Sequence, residues 1–348
     1  APLRIRGAGS KAFLGRPMAG TDIDTRSHYG IVAYEPSELV MTVRAGTPLS
    51  FVNAALHDAN QMLPCEPPTF DDTATVGGMV AAGLAGPRRP WSGGVRDFVL
   101  GCRLLSGHGT HLRLGGEVMK NVAGYDVSRL LAGSFGCLGL ITEVSLKVLP
   151  RPRASQSVSL PLDAGQAMRT LVRWRREAMP VSAACHIDGM LHVRFEGGHG
   201  SVRQALAQVG GQELDAGFWI LLREHRLPFF KDTRPLWRIS LPPQASVQVR
   251  PAEARPVQSA EARPAKAWPG EILLDWGGAQ IWLKSEASPS HIRQLASDAG
   301  GHATCHTPAS GVEPFHPLPE GLMRFHQQLK RQMDPHGVFN PGRMYADL

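Results

Sequence analysis

The chain has 348 residues, 43% of them hydrophobic and 19% charged, with Gly (38) and Pro (28) abundant but short of low-complexity levels. It is therefore long enough for about two domains and is neither disordered as a whole nor fibrous. A formal charge of +7, from 37 Lys and Arg against 30 Asp and Glu, points to anionic partners, nucleic acid among them.

No apolar run approaches the roughly 18 residues of a membrane span and the start lacks a signal-peptide core, which predicts a soluble, cytoplasmic protein. The five cysteines are scattered and none forms a C-x-x-C pair, so a disulfide framework, an iron–sulfur cluster and a zinc ribbon are all unsupported. Redox chemistry here is expected to use an organic cofactor. The chain opens at Ala1 and goes directly into an apolar LRIR, which predicts an absent N-terminal segment.

After LRIR comes Arg6-Gly7-Ala8-Gly9-Ser10-Lys11-Ala12. Its glycines let successive N–H groups point into one concavity, and Ser10 and Lys11 add a hydroxyl and a positive charge, so the loop reads as an anion nest. The same run satisfies a relaxed G-x-G-x-x-A, but a dinucleotide-binding Rossmann turn needs an amphipathic helix next. FLGRPMAGTDIDTR, with Gly15, Pro17 and Gly20, has no helical period.

From Leu63 to Gly101 the sequence places Thr75-Val76-Gly77-Gly78 before small residues up to Gly83. This predicts a short helix whose side chains are too small to hold a planar ligand away, with unpaired N–H groups at its start. A basic, turn-rich crossing from Gly86 to Asp97 follows. Between Gly115 and Thr142, Lys120, Tyr125 and Asp126 precede a helix over 127–131, with Gly133, Gly136 and Gly139 marking the return to a strand. Ile141, Val144, Leu146 and Val148 then nearly alternate with polar residues until Pro150 and Pro152 end the strand.

The segment AGQAMRTLVRWRREAM predicts a helix and MLHVRFEGG a strand. The Pro/Ala/Arg-rich run from about 242 to 269 predicts a disordered loop. EILLDWGGAQIWLK predicts a hairpin turning at Gly277 and Gly278. EGLMRFHQQLKRQM predicts a helix with Leu322, Phe325 and Leu329 on one side, stopped by Asp334, Pro335 and Gly337. The apolar, turn-rich tail GVFNPGRMY is expected to dock on the body of the protein.

Other clusters carry less. His302, Cys305 and His306 have a spacing metals can use, but no acidic or further Cys ligand stands near, and packing is the better reading, as it is for His186 and His192. Arg88-Arg89, Arg151 with Arg153, and Arg173 with Arg175-Arg176 lack the interleaved aromatics of a nucleic-acid face. The tryptophans read as core. No G-x-S-x-G or H-E-x-x-H supports a hydrolase.

Taken together, IRGAGSKAFLGRP, NQMLPCEPP, GGMVAAGLAGPRRPWSGGVRDFVLG, GGEVMKNVAGYDVSRLLAGSFGCLGLITEVSLKVLPRPRAS, WGGA and DPHGVFNPGRMYADL resemble the flavoprotein superfamily of vanillyl-alcohol oxidase and p-cresol methylhydroxylase (PCMH) type. Within it the chain most resembles the E-subunit family of bacterial glycolate oxidases, over nearly its whole length. The resemblance implies an α+β fold: a two-lobed FAD-binding domain of PCMH type at 1–153, a reduced cap domain at 154–312, and a C-terminal helix and tail at 313–348 returning to the FAD domain. It implies that Arg6, Gly7, Ala8, Gly9, Ser10 and Lys11 cradle the pyrophosphate, that Thr75, Gly77, Gly78 and Gly83 line the cofactor, that Ile141 meets the adenine end, and that Asn340 and Arg343 close the site. Leu14, Gly15, Pro67 and Gly139 complete the implied cofactor-binding set.

Relatives that attach FAD covalently place a His or Cys at these loops. Ala8, Ser10 and Lys11 stand there instead, so non-covalent FAD is expected, with Cys65 beside the second loop as the less favoured covalent alternative. Relatives that oxidise 2-hydroxy acids alone carry an H-x-H-x-G-D-G-N motif, whereas the nearest text here is Glu196-Gly197-Gly198-His199-Gly200. The resemblance thus implies an FAD-binding subunit of a complex oxidising glycolate to glyoxylate. The substrate chemistry would sit on a larger FAD-binding subunit, and electrons would pass to an iron–sulfur subunit, without nucleic acid and without a membrane span, in the cytoplasm or held at the inner face of its membrane by the complex. No catalytic residue and no metal ligand is assigned in this chain. The alternative is a flavin-poor scaffold subunit of the same complex.

Overall fold

The computed structural model describes residues 1–116, 125–242, 250–251, 267–307 and 311–348. They fall into two compact units, the first made of 1–151 and 317–348 and the second of 152–316.

The first unit opens with strands β1 (Leu3–Arg6) and β2 (Thr21–Asp24), paired in parallel as a small ribbon. Next come β3 (Ile31–Glu35), β4 (Val40–Arg44), helix α1 (Leu49–Asp58), β5 (Gln61–Met62), and helices α2 (Val76–Ala82), α3 (Arg89–Ser92) and α4 (Val95–Phe98). Strands β6 (Val99–Leu105) and β7 (His111–Gly115), helix α5 (Tyr125–Leu130), β8 (Leu140–Lys147) and β9 (Leu149–Pro150) complete its N-terminal part. The main sheet has the order β3-β4-β8-β6-β7. Its core forms because β4 and β8 turn Met41, Val43, Val144 and Leu146 onto Leu49, Val52 and Leu56 of α1 and Val76, Met79 and Val80 of α2. Lys120 lies outside the described residues.

The second unit holds β10 (Ala154–Pro161), α6 (Ala164–Arg176), β11 (Val181–Ile187), β12 (Met190–Gly197), α7 (His199–Val209), β13 (Gln212–Glu213), α8 (Gly217–Arg223), α9 (Pro228–Lys231), β14 (Leu236–Ser240), β15 (Arg250–Pro251), β16 (Ala267–Trp268), β17 (Glu271–Asp275), β18 (Gln280–Lys284), α10 (Pro289–Asp298) and β19 (His302–Cys305). Its antiparallel sheet has the order β13-β10-β12-β11-β17-β18-β14-β19. The expected hairpin is β17–β18, with Asp275 opposite Gln280 at the turn. Asp163 begins α6 with a capping box, accepting from Gln166 N at 2.8 Å and donating to Gln166 Oε1 at 3.1 Å.

The stretch expected to be disordered lies mostly outside the described residues. Its far end departs from the expectation: β16 pairs with β15, and Trp268 is buried, because an indole has too much apolar surface to be left in a loop.

The C-terminal helix α11 (Glu320–Met333) belongs to the first unit. Leu329 and Met333 pack on the first core, but Leu322 and Phe325 are 50% and 68% exposed. The apolar stripe therefore continues past the core it covers. Beyond the helix the tail runs beside β1, with Leu3 N donating to Val338 O at 2.7 Å and Asn340 N to Leu3 O at 3.0 Å.

Candidate functional site

The first unit contains a cavity of about 560 Å³ with three walls, a size usual for a cofactor. One wall is the end of β1 and the loop after it: Arg4, Ile5, Arg6, Gly7, Ala8, Gly9, Ser10, Lys11 and Ala12. The loop is folded by its own turns, Ala12 N to Gly9 O at 2.8 Å and Leu14 N to Lys11 O at 3.1 Å.

The second wall is α2. Thr75 is its N-cap, with extended backbone and Oγ1 accepting from Gly78 N at 3.2 Å. Helical spacing sends Val76, Met79 and Val80 into the core and leaves Thr75, Gly78, Ala81 and Ala82 on the cavity. The two adjacent glycines therefore serve different surfaces: Gly78 faces the cavity, while a Cβ on Gly77 would lie 2.8 Å from the Ala45 Cβ, on the core side.

The third wall comes from Phe135 and from the tail, Asn340 and Arg343. The Arg343 guanidinium is fixed by donating from Nη1 to Arg16 O at 2.7 Å and from Nη2 to Ala12 O at 3.0 Å, and burial lowers its pKa.

Charge at this cavity is mainly positive. Lys11 Nζ lies 3.4 Å from Ser10 Oγ and 5.6 Å from the centroid of the Phe70 ring. Arg4 and Arg6 both reach Asp22, Arg4 with a bidentate pair of bonds, and hydrogen bonding from Arg4 holds the Asp22 carboxyl below its ordinary value. Among the residues lining the cavity, none is Asp or Glu.

Of the residues singled out in the sequence, Arg6 to Lys11, Thr75, Gly78, Asn340 and Arg343 meet at this cavity. Leu14, Gly15, Pro67, Gly77, Gly83, Gly139 and Ile141 do not line it. Gly15 backs the wall, since a Cβ there would lie 2.9 Å from Arg343 O. Gly83 ends α2 in the left-handed conformation (φ 64°), with Gly133 N 2.8 Å from where its Cβ would stand. Ile141 is a core residue of β8, opposite Leu104. Pro67 is buried in the loop after β5.

Arg4, Ile5, Ala12, Pro17, Met18, Ala81, Ala82 and Phe135 line the cavity without having been singled out as cofactor-binding in the sequence. The small residues after Thr75 carried a signal for the alanines. The F-G step of GSFGCLG gave no comparable signal for Phe135, which lines the cavity because its backbone is left-handed (φ 52°).

The other candidates have local partners. His186 Nε2 meets Leu162 O at 2.9 Å, and His192 Nδ1 meets Ser159 Oγ at 2.7 Å. His302 and Cys305 sit at an odd spacing on one strand and so face opposite sides of it. No group of three or more His, Cys, Asp or Glu among the described residues is arranged to hold a metal ion. His199 is exposed at the start of α7. Every tryptophan except Trp91 is buried in the second unit.

The residues present fit an elongated anionic cofactor with a flat ring. Around Gly9 a Cβ would meet nothing within 4 Å, the α2 wall is built of Gly78, Ala81 and Ala82, and cationic side chains line the first and third walls.

These features define an FAD-binding α+β flavoprotein of PCMH type. Residues 1–115 match the family described as "FAD binding domain". The chain is 55% identical over 347 residues to the glycolate oxidase subunit GlcE of Escherichia coli (strain K12), spanning 100% of this chain and 93% of that subunit. It is 30% identical over 159 residues to the glycolate oxidase subunit GlcD of Bacillus subtilis (strain 168), covering 45% of this chain and 34% of that subunit. Among solved structures, an alkyldihydroxyacetonephosphate synthase shares the fold with a TM-score of 0.62 at 15% identity, over 98% of this chain and 71% of that chain. The chain belongs to the family of the glycolate oxidase subunit GlcE, and FAD is its cofactor. No helix among the described residues is long and apolar enough to cross a membrane.

Proposed function

We propose that the chain is the FAD-binding E subunit of a glycolate-oxidising complex and that it holds FAD non-covalently in the three-walled cavity of the first unit. The observation that carries this reading is the convergence of the Gly7–Lys11 loop, the small-residue face of α2 and the Asn340–Arg343 tail on one cation-lined cavity.

In this reading Gly7 to Lys11 bind the pyrophosphate through backbone N–H groups and the Lys11 charge. Gly78, Ala81 and Ala82 let the cofactor lie close to the helix, and Asn340 and Arg343 fix the wall opposite. Bound FAD would supply redox capacity to the complex; this chain supplies its binding and orientation.

Two features favour non-covalent attachment. Neither His nor Cys lines the cavity. Cys65 is buried away from it, with burial pushing its thiol up to about 12, and the thiolate is the nucleophile.

The 2-hydroxy-acid site is proposed to sit on a larger flavoprotein partner, because the nearest text to that motif, Glu196 to Gly200, departs from it and His199 is exposed. Electrons are proposed to leave through an iron–sulfur partner. The test is purification of the chain alone and with its partners, with flavin counted per chain. One FAD per chain, released by acid, is the expected result. A chain that stays colourless after reconstitution yet still assembles would leave it a scaffold subunit.

A further inference from the structure

Lys330 does not line the cavity. It is buried on α11, and its ammonium donates to three oxygens at 2.7 Å each: Cys137 O, Phe339 O and Asp334 Oδ2. Asp334 in turn accepts from Phe339 N at 2.8 Å and Val338 N at 3.1 Å. All three N–H bonds of the ammonium are therefore used, and the pair is tied into two chain segments remote from each other in sequence.

Each of those segments carries a left-handed, non-glycine residue on the cavity wall. Phe135 (φ 52°) precedes Cys137 by two residues, and Asn340 (φ 42°) directly follows Phe339. The two are bonded to one another, Asn340 Nδ2 donating to Phe135 O at 2.6 Å, while Asn340 Oδ1 accepts from Ile5 N at 2.8 Å. Backbone conformations of this kind persist only where the surroundings over-determine them. Lys330 holds the carbonyl two residues after Phe135 and the carbonyl directly before Asn340.

We propose that Lys330 is a positioning residue of the flavin site: its ammonium clamps the Cys137 and Phe339 carbonyls and so holds Phe135 and Asn340 in the left-handed geometry that forms the third wall. This inference rests on the assignment of the cavity to FAD. Asp334 serves as counter-ion and as the acceptor that turns the tail back toward β1.

The test is FAD titration of the deflavinated full chain, with Kd and the bound-flavin absorption spectrum as readouts. Lys330→Met is expected to raise Kd tenfold or more and to shift the flavin bands. Leaving Asp334 as a lone buried charge is costly, so the paired variant Lys330→Met with Asp334→Asn removes both charges and carries the same expectation. Because Lys330 acts through Asn340, adding Asn340→Ala to Lys330→Met should weaken binding no further than the stronger single change does. A folded variant with wild-type Kd and spectrum, or effects of Lys330→Met and Asn340→Ala that multiply in full, would overturn the proposal. A Gly9→Val variant that binds FAD as tightly as the unsubstituted chain instead overturns the cavity assignment on which it rests.

Discussion

A Cβ built on Gly7 would lie 2.4 Å from Thr75 Oγ1, so the loop after β1 touches the cap of α2 at a position where any side chain would collide. The same Oγ1 accepts from Gly78 N. One contact thus joins two walls of the cavity.

Gly7→Ala should therefore dislodge the Thr75 hydroxyl from its cap, at about 1 kcal/mol of helix stabilisation, and part the two walls. FAD affinity should fall about fivefold, the factor that ~1 kcal/mol represents. Thr75→Ser, which keeps the capping oxygen, should bind FAD nearly as the wild type does. Isothermal titration of both variants checks this; equal affinity in Gly7→Ala and wild type would show that the contact is unimportant.

Gly9 behaves differently. Its φ is 83° and a Cβ there would meet nothing within 4 Å, so a substitution meets strain but no protein atom. Gly9→Ala should cost roughly 1–2 kcal/mol of stability from the left-handed backbone. Gly9→Val should in addition project into the cavity and abolish flavin retention on gel filtration. Full flavin content in the valine variant would refute the placement of the cofactor.

The guanidinium of Arg343 spans two carbonyls, Ala12 O and Arg16 O. Two charge-assisted bonds contribute about 1.5–3 kcal/mol each, and an ammonium cannot reproduce the planar fork. Arg343→Lys should resemble Arg343→Ala, with at least tenfold weaker FAD binding measured by fluorescence. Full rescue by lysine would mean that only the charge matters there.

Cys65 should be inert. Its thiol, raised to about 12 by burial, should resist alkylation by iodoacetamide at pH 8 in the native chain, and Cys65→Ala should retain the flavin. Acid precipitation should leave the flavin in the supernatant. Flavin remaining in the pellet of the wild type but not of Cys65→Ala would establish the thioether link instead.

The parts of the site that the sequence disclosed are those made by local chemistry. The Gly7–Lys11 loop and the Thr75 cap are short-range patterns whose backbone demands are written in the residues themselves. Asn340 and Arg343 came from resemblance, since nothing local ties a tail residue to β1. Phe135 was illegible because its role depends on a left-handed backbone enforced by Asn340 and Lys330, far away in sequence. Gly77 and Gly78 were indistinguishable as letters; only the core pattern of Val76, Met79 and Val80 decides which of them faces the cavity. The exposed Leu322 and Phe325 show the opposite failure, in which a regular apolar stripe is longer than the surface it packs on.

Acid should act on the second unit through its buried histidines. His225 stacks on Phe230 at 4.5 Å and meets the edge of Trp282 at 4.5 Å, and burial, with Arg238 and Lys284 nearby, lowers its pKa to about 3. His306, beside the same Trp282, is buried too and is pushed well below its ordinary value. The unfolded chain, with histidine near 6.5, binds protons that the folded unit refuses. Stability from these groups is thus complete above about pH 6.5 and is lost as the pH falls below it, for His225 down to about pH 3, at up to ~1.4 kcal/mol per pH unit for a single group. Between pH 7 and pH 5 this amounts to about 2 kcal/mol for His225. Because every tryptophan but Trp91 lies in the second unit, denaturant unfolding followed by tryptophan fluorescence reports on it directly. His225→Phe should make the stability of the second unit less steep in pH between 7 and 5; a slope unchanged by that substitution would show that the acid sensitivity arises elsewhere.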